Sequence, residues 1–169
     1  MWYVLHVTTG REEILCKGMA TAMPKHCVEA CWVPKYEIKR KYKGTWRREE
    51  KLLFPGYLFI RTEEINRFQH ELKRFPEMTK LLEHDGKMNP LTREEEFILD
   101  AYYRKGDCVR MSYGVQTENG IQVQEGPLKG RESLIRRVDR HKRRAYVKIE
   151  LPGKVVNLEL GLEIVEKQV

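Results

Sequence analysis

The spacing of apolar side chains changes several times along the chain, and each change marks an element. From Trp2 to Val7 apolar and aromatic residues occupy both faces of an extended segment, with Trp2, Val4 and His6 on one side and Tyr3, Leu5 and Val7 on the other. That pattern predicts a central strand covered on both faces. Thr9-Gly10 breaks it, and Ile14, Leu15, Met19 and Ala22 then recur at helical spacing, predicting a helix over 11–23 that Pro24 ends. Cys27 to Val33 predicts a second strand. Lys35 to Lys51 is strongly basic with Lys43-Gly44 at its middle, the pattern of a projecting hairpin with two polar arms. A further strand is predicted over Phe54 to Arg61, a helix over Glu64 to Phe75 through Ile65, Phe68 and Leu72, and a short strand over Thr79 to His84.

Thr92 followed by Glu95 is a capping box, in which the hydroxyl accepts from the third helical amide while the carboxylate reaches back. It opens a helix predicted to run to about Tyr103. Ser112 to Gly120 is polar with no clear period, and marks a hinge between two units. After it come short β segments at Gln122 to Glu125, Leu134 to Val138, Ala145 to Leu151 and Lys154 to Leu160, separated by Gly126-Pro127, Asp139 to Arg143 and Pro152-Gly153. Small all-β units of this kind close into barrels to hide their edges. Tyr146, Val147, Ile149, Val155, Val156, Leu158 and Leu160 are its candidate core. The fold class is therefore α+β, with an antiparallel sheet flanked by helices over 1–106, a linker over 107–120 and a small barrel over 121–169.

Composition narrows the function classes. No apolar run approaches the roughly 20 residues that cross a bilayer, and MWYVLHV does not have the form of a secretion signal. Cys16, Cys27, Cys31 and Cys108 are too unevenly spaced for a disulfide framework, so a reducing cytoplasm is expected; a monomer with no membrane partner is expected as well. Charge is informative in its distribution. Between Lys129 and Lys148 there are nine Lys and Arg against two acids, so this window carries +7, the whole formal net charge of the chain. A localised excess of this size is the footprint of a polyanion.

Three stretches, WYVLHVTTGREE, CWVPKYEI and above all LFPGYLFIR, resemble the N-terminal domain of the NusG family of bacterial transcription elongation factors. VQEGPLKG leading into RVDRHKRRAYVKI is similar to a KOW domain, the SH3-like barrel that follows in that family. The resemblance implies a transcription elongation and antitermination factor whose first domain docks on the clamp helices of RNA polymerase through His6, Phe54, Tyr57 and Phe59. Tyr57 and Phe59 share one strand face while Leu58 and Ile60 share the other, so the pair is expected to point outward as an interface anchor. Packing beneath a helix is the alternative. Ser133 stands where the KOW pattern has glycine, and must avoid a positive φ. That departure and the dense charge resemble a specialised paralogue of the LoaP class, which implies recognition of a leader RNA hairpin.

Lys129, Arg131, Arg136, Arg137, Arg140, His141, Lys142, Arg143 and Arg144 are the candidate RNA-binding residues, since arginine forks suit phosphates and guanine edges. A ribosomal protein or the termination factor Rho competes for the same surface if the chain is a general NusG, and a ribosome-associated KOW protein is the third reading. His26, Cys27 and Cys31 lack a fourth ligand at suitable spacing and read as core rather than zinc site. The chain has no GxxxxGK[ST], HExxH or GxSxG, so neither a cofactor nor a catalytic activity is expected.

Overall fold

A computed structural model of the chain describes residues 1–75, 80–81, 83–84, 87–93, 95–96, 108–151 and 153–165. In chain order the elements are β1 (Trp2–His6), α1 (Glu12–Ala22), β2 (Ala30–Trp32), β3 (Lys35–Tyr42), β4 (Thr45–Leu52), β5 (Tyr57–Arg61), α2 (Ile65–Leu72), β6 (Lys80–Leu81), β7 (Glu83–His84) and β8 (Lys87–Met88). They continue with β9 (Cys108–Val109), β10 (Ser112–Thr117), β11 (Gly120–Glu125), β12 (Ile135–Asp139), β13 (Arg144–Leu151) and β14 (Lys154–Ile164). Two compact units result, one of Met1–Pro34, Phe54–Asp107 and Glu150–Lys154, the other of Lys35–Leu53, Cys108–Ile149 and Val155–Val169.

The first unit is a four-stranded sheet in the order β2-β5-β1-β6, with β1 and β2 both antiparallel to β5. Leu5, Leu58 and Ile60 are fully buried on one side of it, and α1, whose Leu15 and Met19 are buried, packs against β2 and β5. The helix stops before Pro24 because a residue preceding proline is pushed out of the helical region, and Met23 accordingly has ψ 146. The expected strand from Cys27 shrinks to Ala30–Trp32, since Cys27 N–H donates to Pro24 O at 2.8 Å and closes a turn there.

Phe54-Pro55-Gly56-Tyr57 forms a type II turn: Tyr57 N–H donates to Phe54 O at 3.0 Å, proline precedes the reversal, and Gly56 has φ +84. A buried carboxylate holds this turn. Glu12, 2% exposed, accepts from Gly56 N–H at 2.7 Å and Gly10 N–H at 2.8 Å, while Val7 N–H donates to Gly56 O at 2.8 Å. The capping box closes as its spacing dictates, with Thr92 N–H donating to Glu95 Oε2 at 2.7 Å and Glu95 N–H to Thr92 Oγ1 at 3.3 Å. The rest of the helix predicted there, beyond Glu96, lies outside the described residues.

In the second unit β3 and β4 form an antiparallel hairpin whose two-residue turn, Lys43 at φ 46 and Gly44 at φ 80, has the type I′ signs that match strand twist. Only its distal half projects. Tyr36, Glu37 and Ile38 are buried, and β9 pairs in parallel with β3. Gly161 on β14 permits this approach, because a Cβ there would lie 2.6 Å from Glu37 O and 2.1 Å from Met111 Sδ.

The remaining strands form a five-stranded sheet in the order β11-β10-β14-β13-β12, with β10 and β14 parallel. Among the described residues no ladder joins β11 to β12, so the expected closed barrel is seen as a sheet. Its outer edge is instead met by a side chain, Glu132, which accepts from Val123 N–H at 3.1 Å. Ser112–Thr117, where the sequence marks a hinge, is strand β10: Ser112 and Gly114 are buried and alternate with half-buried Tyr113 and Val115. Val147, Leu158 and Leu160 are buried as expected, but Val155 is 49% exposed, and Val123, Leu128, Ala145 and Leu162 complete the core. Ser133 lies in a 3-10 turn over Glu132–Leu134 and avoids positive φ.

Candidate nucleic-acid interface

The basic cluster occupies one hairpin of the second unit. β12 pairs with β13 through Val138–Ala145 and Asp139–Arg144, and the register shifts between Ile135 and Arg137. That bulge lets two consecutive arginines, Arg136 and Arg137, both reach solvent where a regular strand would alternate them. Arg137 also lies 4.2 Å over the Tyr146 ring. The connecting turn is fixed by Asp139, whose Oδ1 accepts from Lys142 N–H at 2.9 Å. This backbone hydrogen bond, aided by the charges of Lys142, His141 and Arg137, holds the Asp139 carboxyl below its ordinary pKa. Arg140, His141 and Lys142 are exposed on the turn, and Lys129 is exposed on the neighbouring one after Gly126. Arg131 in that same turn is half-buried.

Arg143 and Arg144, two of the predicted contact residues, are engaged in ion pairs. Arg143, at φ 55, pairs with Glu163 at 2.9 Å and lies 3.9 Å over the Trp46 ring of β4. Arg144 pairs with Glu159 at 2.7 Å, and Glu159 also accepts from the Tyr36 hydroxyl at 3.0 Å. Both arginine side chains are at most 24% exposed. They tie the β12–β13 turn to β14 and to the β3–β4 hairpin. Charge summed within the loop misses this, because the acids lie 15 to 20 positions downstream. The signal was Glu159 and Glu163, on one face of the last strand.

In the first unit the predicted docking residues converge but do not stand open. Trp2, Val4 and His6 of β1 lie opposite Arg61, Phe59 and Tyr57 of β5, and Trp32 of β2 lies opposite Phe59 from the other side. Phe59 is fully buried, with Phe54 at 5.2 Å and Trp32 at 6.1 Å between ring centroids. The expectation of an outward pair is therefore corrected: Phe59 and Phe54 pack into an aromatic layer. Tyr57 is 8% exposed, tilted against His6 at 5.1 Å with Lys154 Nζ 5.0 Å from its ring centroid. His6 is the exposed member of the set.

Among the described residues the cysteines form no disulfide, and Cys27 and Cys108 are buried. Cys31 is hydrogen-bonded to Cys16, which together with burial raises its thiol pKa. Burial, with Glu50 adding, pushes Cys108 up to about 11. Among the described residues His26, Cys27 and Glu64 could bring one ligand atom each to within 4.8 Å of one another, so Cys31 is not part of that group. No helix among them is long and apolar enough to cross a membrane.

A family profile described as transcription termination factor NusG matches residues 1–99. The transcription termination/antitermination protein NusG of Pasteurella multocida strain Pm70 is 26% identical, covering 98% of this chain and 94% of its own length. That of Pseudomonas aeruginosa PAO1 is 25% identical over 98% of this chain and 97% of its own. A solved structure of domain interaction in Thermotoga maritima NusG matches with a TM-score of 0.54 at 19% identity, covering 95% of this chain and 92% of its own.

Proposed function

The chain belongs to the NusG family and is a NusG-type transcription termination/antitermination factor; on that premise we propose that it binds RNA polymerase through its first unit and a structured leader RNA through its second, as a LoaP-like antiterminator. The observation that carries the RNA reading is the turn geometry. Lys129, Arg136, Arg137, Arg140 and Lys142 are exposed around a loop made rigid by Asp139, Arg143 and Arg144. Asp139 is the acid among them, and its carboxylate is committed to the Lys142 N–H. Five cations held apart against their own repulsion suit a polyanion, and a fixed loop presents them in a pattern that a distorted RNA groove can match.

Polymerase docking is supported by His6 beside Tyr57 at the end of the aromatic layer. Phe54 and Phe59 support that rim from beneath, and His6 with the Tyr57 edge supplies the contact.

Calorimetric titration of the chain with RNA hairpins differing only in loop or bulge sequence tests the reading. Reversal of Arg136 and Arg137 to Glu is expected to abolish binding, and loop changes to cost more than stem changes. Equal affinity of wild type and variant would move the function of this surface to a protein partner such as Rho or a ribosomal protein, as in a general NusG.

A further inference from the structure

The β3–β4 hairpin carries eight Lys and Arg against three Glu, and the cations fall into two groups. Two away from the tip are engaged: Lys39 is paired with Glu163, and Arg48 lies 3.7 Å from the buried Glu37. The distal half is different. Arg40 stands directly opposite Arg47, and Tyr42 opposite Thr45, across the last turns of the ladder. Like charges directly opposite destabilise a hairpin, and Glu49 lies as far as 3.9 Å from Arg40 with both side chains exposed. Tyr42 is 53% exposed at the end of the ribbon, and Arg47 Cζ and Lys43 Nζ lie 5.2 and 5.5 Å from its ring centroid. Lys43 occupies a left-handed position, φ 46, where asparagine or glycine would be less strained. Folding favours neither the charges, nor the aromatic ring in water, nor a lysine in that turn.

We propose that this tip is a second arm of the RNA interface, in which Tyr42 stacks on an unpaired nucleotide and Arg40, Lys43 and Arg47 hold the phosphates beside it. Aromatic faces with flanking cations are how proteins grip single-stranded nucleic acid. The placement follows from Trp46, which pairs across the hairpin with Lys41 and carries Arg143 of the basic turn on its ring at 3.9 Å. Tyr42 projects from the opposite face of the ribbon. An RNA held by the turn reaches it only by passing over the distal end, which a loop nucleotide can do and a stem pair cannot. This inference rests on the RNA-binding reading above and assigns it a second contact.

The test uses the full chain and an RNA hairpin with a GC-rich stem and a purine loop containing one fluorescent aminopurine, beside a blunt duplex of the same stem and a DNA hairpin of the same sequence. Tyr42→Ala is expected to weaken hairpin binding about tenfold and to remove the fluorescence change that reports stacking. Tyr42→Phe keeps both, and duplex binding is unaffected. Unchanged hairpin affinity in Tyr42→Ala, or an equal loss on the blunt duplex, overturns the inference, as does a DNA hairpin bound more tightly than RNA with the same dependence on Tyr42. Reversal of Arg136 and Arg137 to Glu, run in parallel, separates the two claims. If that variant loses binding while Tyr42→Ala does not, the turn is the reader and the tip is not; if neither loses binding, both readings fall.

Discussion

Salt dependence distinguishes the cations proposed to meet RNA from those that hold the fold. Each phosphate neutralised contributes roughly 0.7 to 0.9 to the slope of log K against log salt. Replacing Arg136, Arg137 and Arg140 together by Gln removes three exposed cations and should flatten the slope by about 2.4, so that the loss of affinity on a fourfold rise in salt becomes about thirtyfold smaller. Arg143→Gln with Arg144→Gln makes a different prediction. Their charges are opposed by Glu163 at 2.9 Å and Glu159 at 2.7 Å, so the slope should hold while stability falls by about 2 kcal/mol with the charge-assisted hydrogen bond from Arg144 to Glu159. Fluorescence anisotropy with a labelled RNA hairpin at four salt concentrations gives the slopes, and urea denaturation gives the stabilities. Equal flattening by both sets of substitutions, with no drop in stability in the second, would refute the division of the cluster.

Two further outcomes follow from hydrogen bonds of the fold. Glu12→Ala strands the amides of Gly56 and Gly10 and should cost about 3 kcal/mol in urea denaturation, with Gly56→Ala costing about 1 to 2 kcal/mol because of its φ of +84; an unchanged midpoint in either contradicts the clamp. Asp139 has a depressed folded pKa, so its contribution to the turn is complete above the ordinary aspartate pKa and is lost as pH falls through the depressed value. The Lys142 amide resonance should therefore titrate with a midpoint below that of an ordinary aspartate, and a midpoint at or above it would show that the hydrogen bond is not formed in solution.

Local chemistry was the most legible part of the sequence. Thr92 with Glu95 and Lys43-Gly44 each specify a geometry within four residues, and each forms it, whereas the strand predicted from Phe54 begins only at Tyr57 because Pro55-Gly56 turns the chain first. The residues that escaped prediction depend on distant partners. Ser112–Thr117 shows no apolar period because its buried positions are a serine and a glycine: Ser112 Oγ accepts from Leu128 N–H at 3.1 Å, and Gly114 lies against Gln122 O and the Val123 backbone of β11. Phe59 follows the alternation that would leave one face of β5 open, but Trp32 and Phe54 cover that face from other parts of the chain. In the basic cluster the sequence overcounted the charges left unpaired, since the acids that engage Arg143 and Arg144 arrive only with β14.

Whether this NusG-type factor is directed by an RNA it reads itself is tested most directly by transcription through an intrinsic terminator with purified polymerase. Templates would differ only in an upstream leader hairpin selected by the chain from an RNA pool. Read-through is expected on the leader-bearing template alone, and is expected to vanish on reversal of Arg136 and Arg137 to Glu. Read-through that is the same without the leader, or that survives the reversal, would contradict direction by RNA and identify a general elongation factor.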